Sequence, residues 1–199
     1  MTVIIWVKHK WDVYLASDWR TSWYHEIITD SSIKQFQYNW TWIWISGNVS
    51  TEQMLKYVLE TQINDKSFKI RTETDVYAIY SLISKHAKDI GYTDPFWEIG
   101  GNVVISAIFA TDNWKLFKLR PDWAVMEFKD FTACWCWEDI ATTLLKQIKI
   151  EKPERDIKFV MKQVFKQSAL CWGKITINCI PWKKTKSKIK AILKSKKKK

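Results

Sequence analysis

Apolar and β-branched residues alternate or run together over residues 2–8 and 12–17, with His9, Lys10 and Trp11 between them. That pattern predicts an N-terminal β-hairpin. Further strand signals fall at residues 25–29, 33–38 and 41–46. The period changes at Ser50: Ser50-Thr51-Glu52-Gln53 reads as a capping box, and Met54, Leu55, Val58 and Leu59 share one helical face. A polar stretch at 63–72 reads as a linker to a second helix, from Asp75 to about Ile90, which Gly91 stops. Strand signals return over 102–110, over 115–119 after a Thr-Asp-Asn-Trp turn, over 125–128 after Pro121, and at 131–134. A helix is expected from Glu138 to about Gln147. Pro153 opens another that ends near Gln167, and a last strand covers 174–179. Five strands, two helices, three or four strands, two helices and a strand fit an α+β protein with two stacked sheets and a helix pair outside each.

Composition narrows the function classes. The 199 residues suit a single domain with a sizeable core. No apolar run reaches the length of a membrane span and no cleavable signal pattern opens the chain, so a cytoplasmic, non-membrane protein is expected. The net charge of +11 is concentrated at one end: ten lysines lie between Lys183 and Lys199, which leaves +1 (11 minus 10) for the rest. Residues 1–182 are therefore expected to form the domain and 183–199 a solvated, disordered tail. The tail would attract polyanions in a salt-dependent way but lacks an aromatic or Arg pattern for base readout, so no specific nucleic-acid partner is expected. Cys134, Cys136, Cys171 and Cys179 form no CxxC pair and read as structural or incidental thiols. His9, His25 and His86 have no partners at metal or triad spacing. Neither a metal nor a cofactor is expected.

Candidate chemistry sits in the first 34 residues. Removal of Met1, which ordinary trimming allows before a small residue, would make Thr2 the mature terminus. Its hydroxyl would then be a nucleophile with the α-amino group as base. An unperturbed α-amine has a pKa of about 7.7 to 8.0, and a nearby ammonium would lower it. Lys34 is the candidate ammonium, and Asp18, midway at sixteen positions from each, is the candidate for orienting it. Taken singly, each residue has an ordinary reading as a surface group; the shared spacing is what joins them.

The run ASDWRTSWYHEIITDSSIKQF, followed by WTWIWISGN, resembles the proteasome β-subunit family of N-terminal nucleophile (Ntn) hydrolases and its bacterial and phage relatives. A later block, DFTACWCWEDIATTLL, is similar to that family's Gly-Ser-Gly segment opening a helix. The resemblance covers roughly residues 2–180. It implies a four-layer αββα sandwich, a threonine-type peptidase working through an acyl-enzyme, and a catalytic set of Thr2, Asp18 and Lys34. Gly47 falls on the oxyanion-hole glycine when one residue near Tyr38 is dropped, and Cys136 falls on the serine beside the nucleophile. Arg20 and Ser22 match the edge where an extended peptide adds as a strand. The resemblance also implies a polypeptide substrate, a homo-oligomeric ring and an ATPase unfoldase as a possible partner. Two departures, Cys136 for serine and Ser168 for a frequent aspartate, keep open a catalytically silent structural subunit; an amidase acting on a small molecule is the other alternative.

Tryptophan stands where that family has glycine or another small residue at Trp19, Trp23, Trp44, Trp135, Trp137 and Trp172, and Trp11 and Trp114 fall in turns. Fourteen Trp against five Gly inverts ordinary usage, in which Gly alone is about 7%. The expectation is that many of these tryptophans are glycine in the living protein, decoded from UGA, while Trp42 is genuine. Trp44 is expected beside the substrate path, and Trp135 and Trp137 are expected to crowd the segment beside the nucleophile.

Overall fold

The computed structural model describes residues 3–10, 12–18, 21–23, 26–29, 35–47, 49–63, 65, 67–92, 103, 105–113, 115–135, 137–167 and 174–181. The elements follow the order β1 (Val3–His9), β2 (Asp12–Asp18), β3 (Thr21–Trp23), β4 (Glu26–Thr29), β5 (Gln35–Tyr38), β6 (Thr41–Gly47) and α1 (Val49–Tyr57). After these come α2 (Glu73–Asp89), β7 (Ile105–Ala110), β8 (Leu116–Leu119), β9 (Val125–Phe128), β10 (Phe131–Trp135), α3 (Glu138–Gln147), α4 (Pro153–Gln167) and β11 (Ile175–Pro181). The strands form antiparallel sheets, one ordered β10-β1-β2-β11 and one ordered β5-β6-β7-β8-β9, with β3 and β4 paired separately.

The hydrophobic pattern explains the layering. In β1 the side chains alternate between faces and both faces are buried, which is why VIIWV reads as a continuous apolar run. Val3, Ile5 and Val7 pack with Ala141, Leu145, Ile157, Val160 and Val164 of α3 and α4. Ile4 and Trp6 instead join Leu15, Trp44, Ile108 and Leu116 in a layer between the two sheets. The outer face of the five-stranded sheet buries Ile43, Phe109 and Phe117 against Leu55, Val76, Ile79 and Ile83 of α1 and α2. The result is an αββα sandwich, as expected from the order of elements.

Several boundaries differ from the sequence reading. β3 was not expected. α1 starts at Val49, so Ser50 lies inside its first turn rather than capping it, and the helix continues as a wider π-helical stretch, Val58–Ile63. α2 starts two residues before Asp75, because Thr72 is its cap: the Thr72 Oγ1 accepts from the Asp75 N–H at 3.2 Å, and the Asp75 carboxylate accepts from the Thr72 N–H at 2.9 Å. At the other end Gly91 is the stop that the sequence marks. Its φ is +67, and the bonds Gly91 N–H to Lys88 O (3.1 Å) and Tyr92 N–H to Ala87 O (2.8 Å) complete a Schellman motif. Residues 183–199 lie outside the described residues.

Candidate active site

Strand register brings the expected catalytic segments to one end of the sandwich. Val3 opposes Trp135, and Asp18 opposes Ile175, so the start of β1 and the ends of β2 and β10 share one rim of the four-stranded sheet. In the other sheet Gly47 ends β6 opposite Ile105, and β8 runs towards the same end at Leu119. The buried Lys118 of β8 ties the two rims together. Its Nζ donates to Ala133 O of β10 at 2.8 Å and pairs with the Glu138 carboxylate at the start of α3. At the opposite lateral edge the Asn178 side-chain amide donates to Gln35 Oε1, joining β11 to the start of β5.

Asp18 is fully buried, and its Oδ1 accepts the Val3 N–H at 3.2 Å. A buried carboxylate is costly unless hydrogen-bonded, so this contact fixes the first described residue of β1 against the end of β2. The sequence reading gave Asp18 the task of orienting Lys34, which lies outside the described residues; in the structure its carboxylate holds the Val3 backbone N–H. Thr2, Arg20, Lys34, Cys136, Ser168 and Trp172 lie outside the described residues, as do the side chains of Ser22 and Trp135. Gly47 and the backbone of Ser22, on β3, are within them.

Polar residues missed in the sequence line the same end. In β8 Leu116 faces the layer between the sheets and Phe117 and Leu119 face the helices, so alternation turns Lys118 inward. By the same alternation Ser17, Ser46 and Ser106 are the inward residues nearest that end of β2, β6 and β7, and all are buried. The layer thus changes from aliphatic and aromatic to polar as it approaches the rim. One signal was available in advance: the lysine in LFKL interrupts an apolar run at an inward position.

The tryptophan expectations divide. Trp44 is wholly enclosed between the sheets, with its ring 5.8 Å from that of Trp42. Trp137, immediately before α3, adopts φ 66 and is 39% exposed; the segment it was expected to crowd lies outside the described residues. Trp11, Trp19 and Trp114 lie outside the described residues. Among the described residues no three His, Cys, Asp or Glu cluster as metal ligands, and no helix is long and apolar enough to cross a membrane.

No family model matches the chain, and no curated protein matches its sequence. Solved structures do. Thiobacillus denitrificans BPH superposes with a TM-score of 0.71 at 11% identity, covering 90% of this chain and 98% of that one. Eukaryotic HslV from Trypanosoma brucei gives 0.66 at 13% identity, over 90% and 99%. The Anbu (Gly-1) mutant from Hyphomicrobium sp. strain MC1 gives 0.69 at 11%, over 91% and 82%. The chain has the proteasome-type Ntn fold. The likeness extends over 98% of the BPH chain and 99% of the HslV chain, so the two sheets and both helix pairs belong to the shared architecture.

Proposed function

We propose that the protein is a threonine-type peptidase that cleaves peptide bonds through an acyl-enzyme on Thr2. The observation that carries this reading is the buried Asp18 carboxylate on the Val3 N–H, at the rim of an Ntn fold where β1 begins and β6 ends in Gly47. A reactive residue attached to Val3 is there anchored to a fixed strand. The Thr2 hydroxyl attacks the scissile carbonyl, and the α-amine takes its proton and returns it to the leaving amine. Water then hydrolyses the ester. Lys34 lowers the proton affinity of the Thr2 groups by its charge, Asp18 orients Lys34, and Cys136 assists the amine. The Gly47 N–H stabilises the oxyanion, a donor whose loss costs about 10² to 10³ in turnover in comparable sites.

A polypeptide substrate suits the strand arrangement. β3 pairs with β4 and, among the described residues, has no strand on its other side. An extended peptide can add there by main-chain bonds, with Arg20 and Ser22 beside it. The neighbours also support assembly into a homo-oligomeric ring, to which an ATPase could deliver unfolded chains. The test is labelling by an electrophile that traps N-terminal threonine, read by the mass of the N-terminal peptide. An adduct on Thr2 with Met1 removed, absent in Lys34→Ala, is expected; retained Met1 or an unlabelled Thr2 in folded protein would overturn the reading.

A further inference from the structure

We propose that Lys118 is a positioning residue for the active site: its ammonium holds in place both flanks of the segment at residue 136. Three observations carry this. Lys118 is the one lysine among the described residues that is buried, with a side chain only 3% exposed, and it projects into the polar end of the layer between the sheets. It donates to Ala133 O, two residues before the end of β10, and pairs with Glu138, the first residue of α3. α3 has no side-chain cap hydrogen bond of its own at its start. The end of β10 and the start of α3 are therefore both bonded to one charge on a strand of the opposite sheet. An ammonium with several donors suits this work, since one group can satisfy a carbonyl and a carboxylate in different directions.

This inference rests on the peptidase reading, because its consequence is the alignment of the Thr2 surroundings. The experiment compares wild type, Lys118→Met and the double variant Lys118→Met/Glu138→Leu, which replaces the charged pair by an apolar one. Each is treated with the threonine-directed electrophile, and the maximal labelling rate is separated from the half-saturating concentration. Thermal melting and amide exchange over residues 131–141 are followed in parallel. The expected result is a maximal rate at least tenfold lower in Lys118→Met with half-saturation unchanged, and faster exchange in that segment. In the double variant the melting temperature recovers while the rate does not. A rate that recovers together with melting temperature, or a Lys118→Met protein labelled like wild type, would overturn the positioning role alone. Failure of the wild type itself to label would overturn the peptidase reading and this inference with it.

A separate observation supports a second inference. Trp123 and Trp137 have φ of 68 and 66, nearly the value of Gly91, +67. A side chain in this left-handed region meets its own backbone, a cost that glycine avoids. Trp123 also completes a recognisable turn: its N–H bonds Arg120 O at 3.0 Å, and the Arg120 N–H bonds Ala124 O at 2.9 Å. The loop Pro121-Asp122-Trp123 thus has Pro and Asp where a hairpin of this length wants them and tryptophan where it wants glycine. We also infer that positions 123 and 137 are glycine in the protein as its source organism makes it, with UGA read as glycine. Mass spectrometry of the peptide spanning 121–129 from the source organism should give the glycine mass. The tryptophan mass, or a UGG codon at either position, would overturn this.

Discussion

The helices α2 and α3 begin in opposite ways. α2 carries its start within five consecutive residues: Thr72 and Asp75 bond each other's backbone reciprocally, and Asp75 also accepts the Arg71 N–H at 2.8 Å. α3 has tryptophan in a left-handed conformation before its first turn, no side-chain cap hydrogen bond, and a first residue held by a lysine twenty positions away on the other sheet. The difference teaches where structure is local and where it is long-range. The start of α3, at the rim that also holds Asp18, depends on contacts that exist only once both sheets have stacked. The helix α2, packed on the outer face of the five-stranded sheet, is secured by its own cap.

Five substitutions would break or sharpen this contrast. Glu138→Ala should be the most damaging, destabilising by about 3 kcal/mol, because it leaves the enclosed Lys118 ammonium without its carboxylate. Lys118→Met should cost less, since Glu138 is 38% exposed and water can take over; denaturant melts that reverse this order would refute the account. Next in size, Trp137→Gly should stabilise by about 1 to 2 kcal/mol through relief of the left-handed strain. Trp123→Gly should gain less, since it also removes a ring stacked on Tyr80 at a centroid distance of 6.1 Å. Equal or negative effects on melting temperature would count against strain at these positions. Thr72→Ala should cost about 1 kcal/mol, the ordinary worth of a cap, and leave electrophile labelling untouched.

The smallest effect is a change of slope with pH. Burial works against ionisation of Asp75, but the Arg71 and Thr72 N–H groups and the Thr72 hydroxyl more than offset it and hold its carboxyl below the usual range. The folded state therefore binds that proton less readily than the unfolded chain. The stability it adds is complete above the unfolded value, about 3.9, and is lost as pH falls through the lower folded value. Asp75→Asn should flatten the decline in melting temperature between about pH 5 and pH 3, and an unchanged slope would assign that decline to other carboxylates.

Much of the fold was legible because its signals are local. β1 and β2 follow from alternating apolar runs, α3 and α4 begin at Glu138 and Pro153 as the sequence marks them, and Gly91 stops α2. Thr72 was missed because it sits in a polar stretch that looks like a linker until the helix behind it is known. The π-helical Val58–Ile63 was missed because its residues continue an ordinary helical period. Of the candidate site, Asp18 and Gly47 came to one end through strand register, which sequence spacing alone does not encode. Lys118 was missed because a single lysine in a strand reads as an exposed residue; only the burial of both faces of β8 makes it an inward charge.

One further consequence follows from where β1 lies. Chain ends are ordinarily where order is lost first. Here the strand that begins at Val3 has neighbours on both sides, β10 and β2, and its faces are covered by α3, α4 and the second sheet. A group one residue beyond Val3 is separated from a rigid lattice by very few torsions. Under the proposed peptidase reading, the search of Thr2 for a reactive orientation would be largely completed when the chain folds, before any substrate arrives.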